Sequence, residues 1–245
     1  LIATAGMAAA EVSFGGYGRF GMYYQEAAAG STARETRIEQ RFRLTATGTT
    51  TTDAGVKFEG RIRWQSDENA AGAANVVNRS AAGFAVSYEG LRVDVGHVSD
   101  VIDSGDVVNY YGYGVGLTSF LEQSSGFGLP ASGFGTGADG STVAPTVKVR
   151  YTSGGFTASA SYTDDLNNTA SGEYMVGVGY VFDNYSVGAA YGETTTTGAA
   201  DVDFWAISGD ATFGNLGLSV LIAEEDDTND VRYGISGNYA VSSAT

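Results

Sequence analysis

The chain has no cysteine, one histidine and two prolines among its 245 residues, and no apolar run long enough for a transmembrane helix. Without cysteine there are no disulfides, thiol nucleophiles or thiolate metal sites. A single imidazole, His97, leaves no histidine-rich zinc centre. With no serine–histidine or paired-carboxylate arrangement either, the sequence offers no catalytic constellation. A helical span needs about 18 consecutive apolar residues, and sustained 3.6-residue periodicity is missing too. Basic residues are scarce, 13 against 28 acidic ones, for a formal net charge of -15. Nucleic acid is an unsuitable partner for such a chain.

What the sequence does have is alternation. Between Thr36 and Ser66, Ile38, Phe42, Leu44 and Ala46 share one row, against Arg37, Glu39, Arg41, Arg43 and Thr45. Then Val56, Phe58, Gly60, Ile62 and Trp64 stand against Lys57, Glu59, Arg61, Arg63 and Gln65. A period of two over ten or more residues is a β-strand signal. The spacer Gly48–Gly55 predicts a hairpin that sets five arginines and a lysine on one face. Eight of the thirteen basic residues fall between Arg19 and Arg63.

The same pattern predicts twelve strands: 11–25, the two just described, 81–89, 91–98, 145–152, 156–163, 173–182, 185–192, 202–213, 216–223 and 231–241. Short connections rich in turn residues (Glu89-Gly90, Ser153-Gly154-Gly155, Asp183-Asn184, Gly214-Asn215) alternate strictly with long ones at 26–35, 68–80, 99–144, 164–172, 193–201 and 224–230. The expectation is a single all-β domain over 11–245, an up-and-down antiparallel sheet with one smooth end and one loopy end. The small apolar residues 1–10, ending in Ala8-Ala9-Ala10 before Glu11, read as a signal-peptide remnant. Export without cysteine points to a bacterial envelope.

A soluble sandwich would bury the apolar row, and a transmembrane barrel would turn it to lipid. Strands of 9–12 residues match the ~9–11 needed to cross a tilted barrel wall. Aromatics gather at strand ends: Tyr23, Tyr24, Tyr162 and Tyr174 near long loops, and Phe182, Tyr185 and Phe213 beside short turns. In a barrel each arginine facing lipid at the midplane costs ~2–4 kcal/mol. The five arginines and the lysine together would exceed ~10 kcal/mol, comparable with the net stability of a domain. The arginines therefore face inward. The competing reading is a soluble or surface-attached β-rich binding protein such as an adhesin domain, and a third is a smaller, plugged anchor barrel.

The opening Glu11-Val12-Ser13-Phe14-Gly15-Gly16-Tyr17-Gly18-Arg19 and the arginine-rich second and third strands resemble general diffusion porins of the alphaproteobacterial outer membrane. So do Tyr88-Glu89-Gly90-Leu91-Arg92-Val93-Asp94-Val95-Gly96 ahead of a very long loop, and aromatic–glycine hairpins such as Tyr180–Gly188. The resemblance implies a sixteen-stranded, trimeric barrel in contact with lipid and lipopolysaccharide, passing ions and small hydrophilic solutes. Its third loop would fold into the lumen. With twelve strands and an end at Val241–Thr245 lacking the family's terminal aromatic, the chain is expected to lack C-terminal strands. On this reading Asp100, Asp103, Asp106, Glu122 and Asp139 of the long loop face a basic wall of Arg19, Arg37, Arg41, Arg43, Lys57, Arg61 and Arg63, extended by Lys148 and Arg150. Charged walls across a narrow aqueous gap set ion selectivity. No cofactor is expected; calcium at the acidic segments Asp164-Asp165 and 224–230 is the one candidate ion. His97, at the end of an apolar row, is expected at an interface.

Overall fold

A computed structural model describes residues 10–24, 26, 35–67, 76–112, 144–164, 172–195, 198, 200–226 and 231–241. The side chains of Arg19, Tyr23, Arg37, Glu39 and Asp67 are excepted. These residues contain no helix. They form thirteen strands: β1 (Glu11–Tyr24), β2 (Thr36–Thr51), β3 (Lys57–Asp67), β4 (Asn78–Arg79), β5 (Gly83–Tyr88), β6 (Leu91–Gly96), β7 (Thr146–Ser153), β8 (Phe156–Asp164), β9 (Gly172–Phe182), β10 (Tyr185–Thr195), β11 (Val202–Phe213), β12 (Leu216–Glu225) and β13 (Arg232–Tyr239). Twelve match the predicted segments. The addition is the two-residue β4, too short to show any period, which pairs with β3 beside the main path.

Apart from β4, each strand pairs antiparallel with the strands that precede and follow it along the path, so the sheet is a meander from β1 to β13. β1 and β13 are not paired with each other among the described residues. The hairpin after β2 is tighter than the spacer Gly48–Gly55 suggested. The threonine run Thr49–Thr51 continues the ladder opposite Glu59–Lys57, and only Thr52–Val56 turns. β-branched threonine suits a pleated strand better than a loop. The short turns have the geometry that hairpin twist demands. Glu89 and Gly90 both have positive φ, 45° and 84°. At the other two-residue turns the first central residue does, at Gly154 (58°), Asp183 (52°) and Gly214 (58°).

The two faces of this sheet are inverted relative to a soluble protein. The apolar rows are exposed: Phe14, Phe20, Phe42, Phe84, Val149, Val178, Val187, Ile207, Val220 and Ile235 all point to the outside, Phe20 at 89%. The opposite rows hold the buried polar groups, among them Gln65, Asp94, Lys148, Ser159, Ser161, Thr163, Ser208 and Ser219. Aromatic bands edge the apolar face. At the short-turn end Tyr180, Phe182, Tyr185 and Phe213 form a chain with ring centroids 6.0, 5.5 and 5.9 Å apart. At the long-loop end, exposed Tyr162, Tyr174 and Tyr191 stand with Trp205. There the Tyr191 hydroxyl donates to Asp203 (2.9 Å) and the Trp205 indole N–H to Glu224 (2.9 Å). From Tyr174 to Phe182 is eight residue steps along β9. That is about 20 Å of height at a tilt near 40°, close to the ~25 Å apolar band of a membrane barrel.

An arginine in place of Val178, midway between the bands, should destabilise the folded protein in bilayers by about 2–4 kcal/mol. At band level, Tyr162→Arg should cost no more than about 1 kcal/mol. Equilibrium unfolding from lipid vesicles reads both, and equal costs would contradict the assignment of faces.

Candidate functional site

The polar face carries charge on β2, β3, β6 and β7. Across the β2–β3 pairing Arg43 lies opposite Gln65, and Arg63 and Arg61 opposite Thr45 and Thr47. The Arg43 Nε donates to the Gln65 side chain, and its guanidinium lies 5.2 Å from the Tyr17 ring centre. Arg63 stands in the field of Arg43 and Arg61, so the arginines form one positive wall. Arg19 holds the register position opposite Arg41, and Arg37 that opposite Tyr23; their side chains lie outside the described part.

A second cluster on this face joins β3, β6 and β7. Arg92 clamps Asp94 with Nε at 3.1 and 3.0 Å and Nη2 at 2.9 Å from its carboxylate oxygens, and reaches Glu59 through Nη1. Lys57 lies 3.6 Å from the same Glu59. Sequence reasoning left Glu59, Arg92 and Asp94 out of the site. The available signal was their position on the polar rows, Glu59 two residues from Lys57 on β3 and Arg92 two from Asp94 on β6, each pair on one side. Between this cluster and the short turns a cleft of about 510 Å³ is lined by Lys57, Arg92, Arg150 and Thr152, among others.

From β6 the chain turns onto the polar face. Gly96 makes the turn at φ 99°, with Ala82 O 2.8 Å from the place a Cβ would occupy. A left-handed residue there breaks the alternation, so His97 is buried at 6% exposure instead of lying at an interface as its row predicted. Residues 97–112 form a strap across the inner rows of β7–β12. Asp100 is fully buried and its Oδ1 caps the first turn by accepting the Asp103 N–H at 2.7 Å. The Val101 N–H donates to Ser161 Oγ at 3.2 Å and the Asn109 N–H to Ser208 Oγ at 2.9 Å. The Asn109 amide donates to Asp210 (2.7 Å) and Ser219 (3.2 Å). Beneath the strap, Val101, Ile102, Val107, Val108 and Tyr110 pack on Met175, Ala190, Phe204, Ala206, Leu221 and Ala223.

Of the predicted loop acids, Asp106 makes the strongest contacts. It accepts from Lys148 Nζ at 2.7 Å and from Arg150, with Lys148 and Asp106 both largely shielded from solvent. Burial opposes the charged form, yet the two cations hold the Asp106 carboxyl below the usual carboxylate range. The expectation set Asp106 before a basic wall that Lys148 and Arg150 extend, and its ion pairs are with those two on β7 rather than with the arginines of β2 and β3. Those arginines sense the strap through space, Arg61 in the field of Asp106 and Arg63 in that of Asp103. Asp103 accepts a hydrogen bond from the Tyr111 hydroxyl. Burial and that neighbouring carboxylate push the Tyr111 phenol up. Glu122 and Asp139 lie outside the described residues. So do parts of the two acidic segments considered for calcium; no group of three His, Asp or Glu among the described residues could hold a metal ion.

The whole chain, residues 1–245, matches the family model described as Gram-negative porin. The chain belongs to that family. A curated relative, the porin of Fuscovulum blasticum, is 31% identical over 246 residues, covering 96% of this chain and 82% of its own. Solved mutants of the Rhodopseudomonas blastica porin share the fold at TM-scores of 0.61 and 0.62, with 24% identity over 95% of this chain and 91% of theirs. The protein is therefore a porin of the bacterial outer membrane, an all-β transmembrane barrel protein. The adhesin alternative falls with that membership.

Replacing Asp106 with Asn leaves Lys148 and Arg150 without their counter-ion. The anchoring of residues 97–112 should weaken by on the order of 1–3 kcal/mol, less than for a fully buried pair because Arg150 reaches solvent. Because the folded-state pKa of Asp106 is lowered, the clamp contributes fully above the ordinary carboxylate range and is lost as pH falls through the depressed value. Hydrogen exchange of 97–112 should therefore be slow from neutral pH through mildly acidic pH and accelerate only in strong acid. In the Asn variant, after correction for intrinsic rates, the pH step should be absent.

Proposed function

We propose that this porin forms a water-filled channel for passive diffusion of ions and small hydrophilic solutes. Its passage runs between the strap 97–112 and the arginine wall of β2 and β3. The observation that carries the reading is the inversion of faces combined with the placement of charge. Apolar rows face outward between two aromatic bands, while arginines, lysines and carboxylates line the other side. The strap narrows the passage from the β7–β12 side, where its apolar underside fills the space above the sheet. The charged arc opposite remains for water. Cations of the wall and acids of the strap then act on permeating ions from two sides, and apolar solutes are disfavoured because they displace oriented water. The family resemblance supports assembly as a homotrimer set among lipopolysaccharide.

Reconstituted in planar bilayers, the protein should give stepwise conductance; a membrane that stays silent at high protein load would refute the channel. Arg41→Glu with Arg61→Glu should move the reversal potential in a salt gradient toward cation selectivity. An unchanged potential would remove the arginine wall from the pathway.

A further inference from the structure

On the reading of the strap as the narrowing element, we infer that Gly177, Gly179 and Gly188 are positioning residues that set how far it stands out from the wall. The three lie together on the inner face: Gly179 is paired directly with Gly188 across β9 and β10, and Gly177 is one inward position along, opposite Ala190. Val107 of the strap occupies the space above them. A Cβ on Gly188 would sit 1.6 Å from the Val107 carbonyl oxygen and 2.7 Å from its carbon. On Gly179 it would meet Val107 Cα at 3.2 Å and O at 3.3 Å. On Gly177 it would meet the Val107 and Val101 methyls at 2.7 and 2.9 Å. At two of these positions, 179 and 188, the closest contacts are with the main chain of the strap, which cannot rotate away as a side chain can.

The neighbour of Val107 is Asp106, the residue clamped by Lys148 and Arg150. A methyl group at 188 must lift the strap backbone off the wall and toward the arginines. The same movement pulls Asp106 from its two cations. The aperture should then narrow while Lys148 and Arg150 gain influence on the passage, two effects a general loss of stability would not produce together. A glycine elsewhere on the same sheet behaves differently. Gly209 belongs to the outward row, where an added Cβ meets Val220 at an ordinary 3.5 Å.

Single-channel recording on the full chain tests this. Gly188→Ala should lower unit conductance roughly twofold and shift the reversal potential toward anions, with Gly209→Ala indistinguishable from the unmodified protein. Val107→Ala should restore part of the conductance lost in Gly177→Ala, because it removes the nearer of the two strap methyls met there, leaving the Val101 methyl at 2.9 Å and the Ala189 carbonyl oxygen at 3.1 Å. It should not rescue Gly188→Ala, whose clash is with the backbone. Conductance and potential both unchanged in Gly188→Ala, or equal rescue of the two variants, would overturn the assignment.

Because the chain has no cysteine of its own, a second test is independent of conductance. The Cβ positions of residues 107 and 179 lie 3.6 Å apart, within the ~3.5–4.5 Å of a disulfide. Val107→Cys with Gly179→Cys should cross-link under mild oxidation of the folded protein, read as a mobility change reversed by reductant. Thiols that stay free in folded protein would overturn the placement of the strap. Silent bilayers with unmodified protein would instead fail the channel reading, and a formed cross-link would still leave the seating of the strap intact.

Discussion

Hydrocarbon offers no hydrogen-bond partner, and everything in this molecule follows from that. A backbone crossing lipid must pair each of its N–H and C=O groups with another strand, which limits the chain to a continuous antiparallel ladder. Between the aromatic bands, charged side chains must take the other face. Between β1 and β13 the meander answers the first demand strand by strand, and four of its hairpins close with two-residue turns whose positive φ values follow the twist of the ladder. The strict alternation along each strand satisfies the second. Net charge plays no part in the sorting. A chain of formal charge -15 still gathers most of its few cations on β1 to β3, because only position relative to the pleat decides which side a residue meets.

The inner face is divided. Its β2–β7 portion carries arginine, lysine and carboxylate in close pairs. Its β9–β12 portion carries glycine, alanine, serine and a few large apolar side chains such as Phe204, Met175 and Leu221. The second portion would be poorly suited to face water, and the strap covers it, placing valines and Ile102 on the apolar patch and backbone N–H groups on the serines. Asp106 stands at the border between the two regimes, where the strap leaves the apolar bed and meets the first charged strand, β7. One segment thereby covers the apolar part of the inner face and brings a carboxylate to the charged part.

What was legible in the sequence was what depends on neighbours along the chain. Period two gave the strands, and the dipeptides Glu89-Gly90, Asp183-Asn184 and Gly214-Asn215 gave the turns, because both signals are local. The inward direction of the arginines also followed, since its energetics need no knowledge of partners. That Asp106 would face a wall including Lys148 and Arg150 came from the family resemblance; which of the wall's cations it takes is not a local signal, since Lys148 and Arg150 are 42 and 44 residues distant and register across β6, β7 and the strap brings them together. His97 was misplaced because a single left-handed glycine before it reverses the row. Val101-Ile102 and Val107-Val108 carry no periodic signal of their own in the long loop. Their role depends on the glycines and alanines facing them from strands some 70 to 120 residues later.

The strap is held by two kinds of contact that constrain different coordinates. A lysine or arginine reaching a carboxylate has several rotatable bonds, and the ion pair survives shifts of an ångström or more at modest cost. Such a clamp fixes which strand Asp106 meets and leaves its height above the sheet loosely defined. Backbone resting on glycine has no such slack, since repulsion rises steeply within a few tenths of an ångström of contact. The contact of Val107 with Gly179 and Gly188 therefore defines height, and the hydrogen bonds of Asn109 to Asp210 and Ser219 define the far end. A narrow aqueous gap needs both constraints at once, because its width depends on the height and its field on where the charges stand.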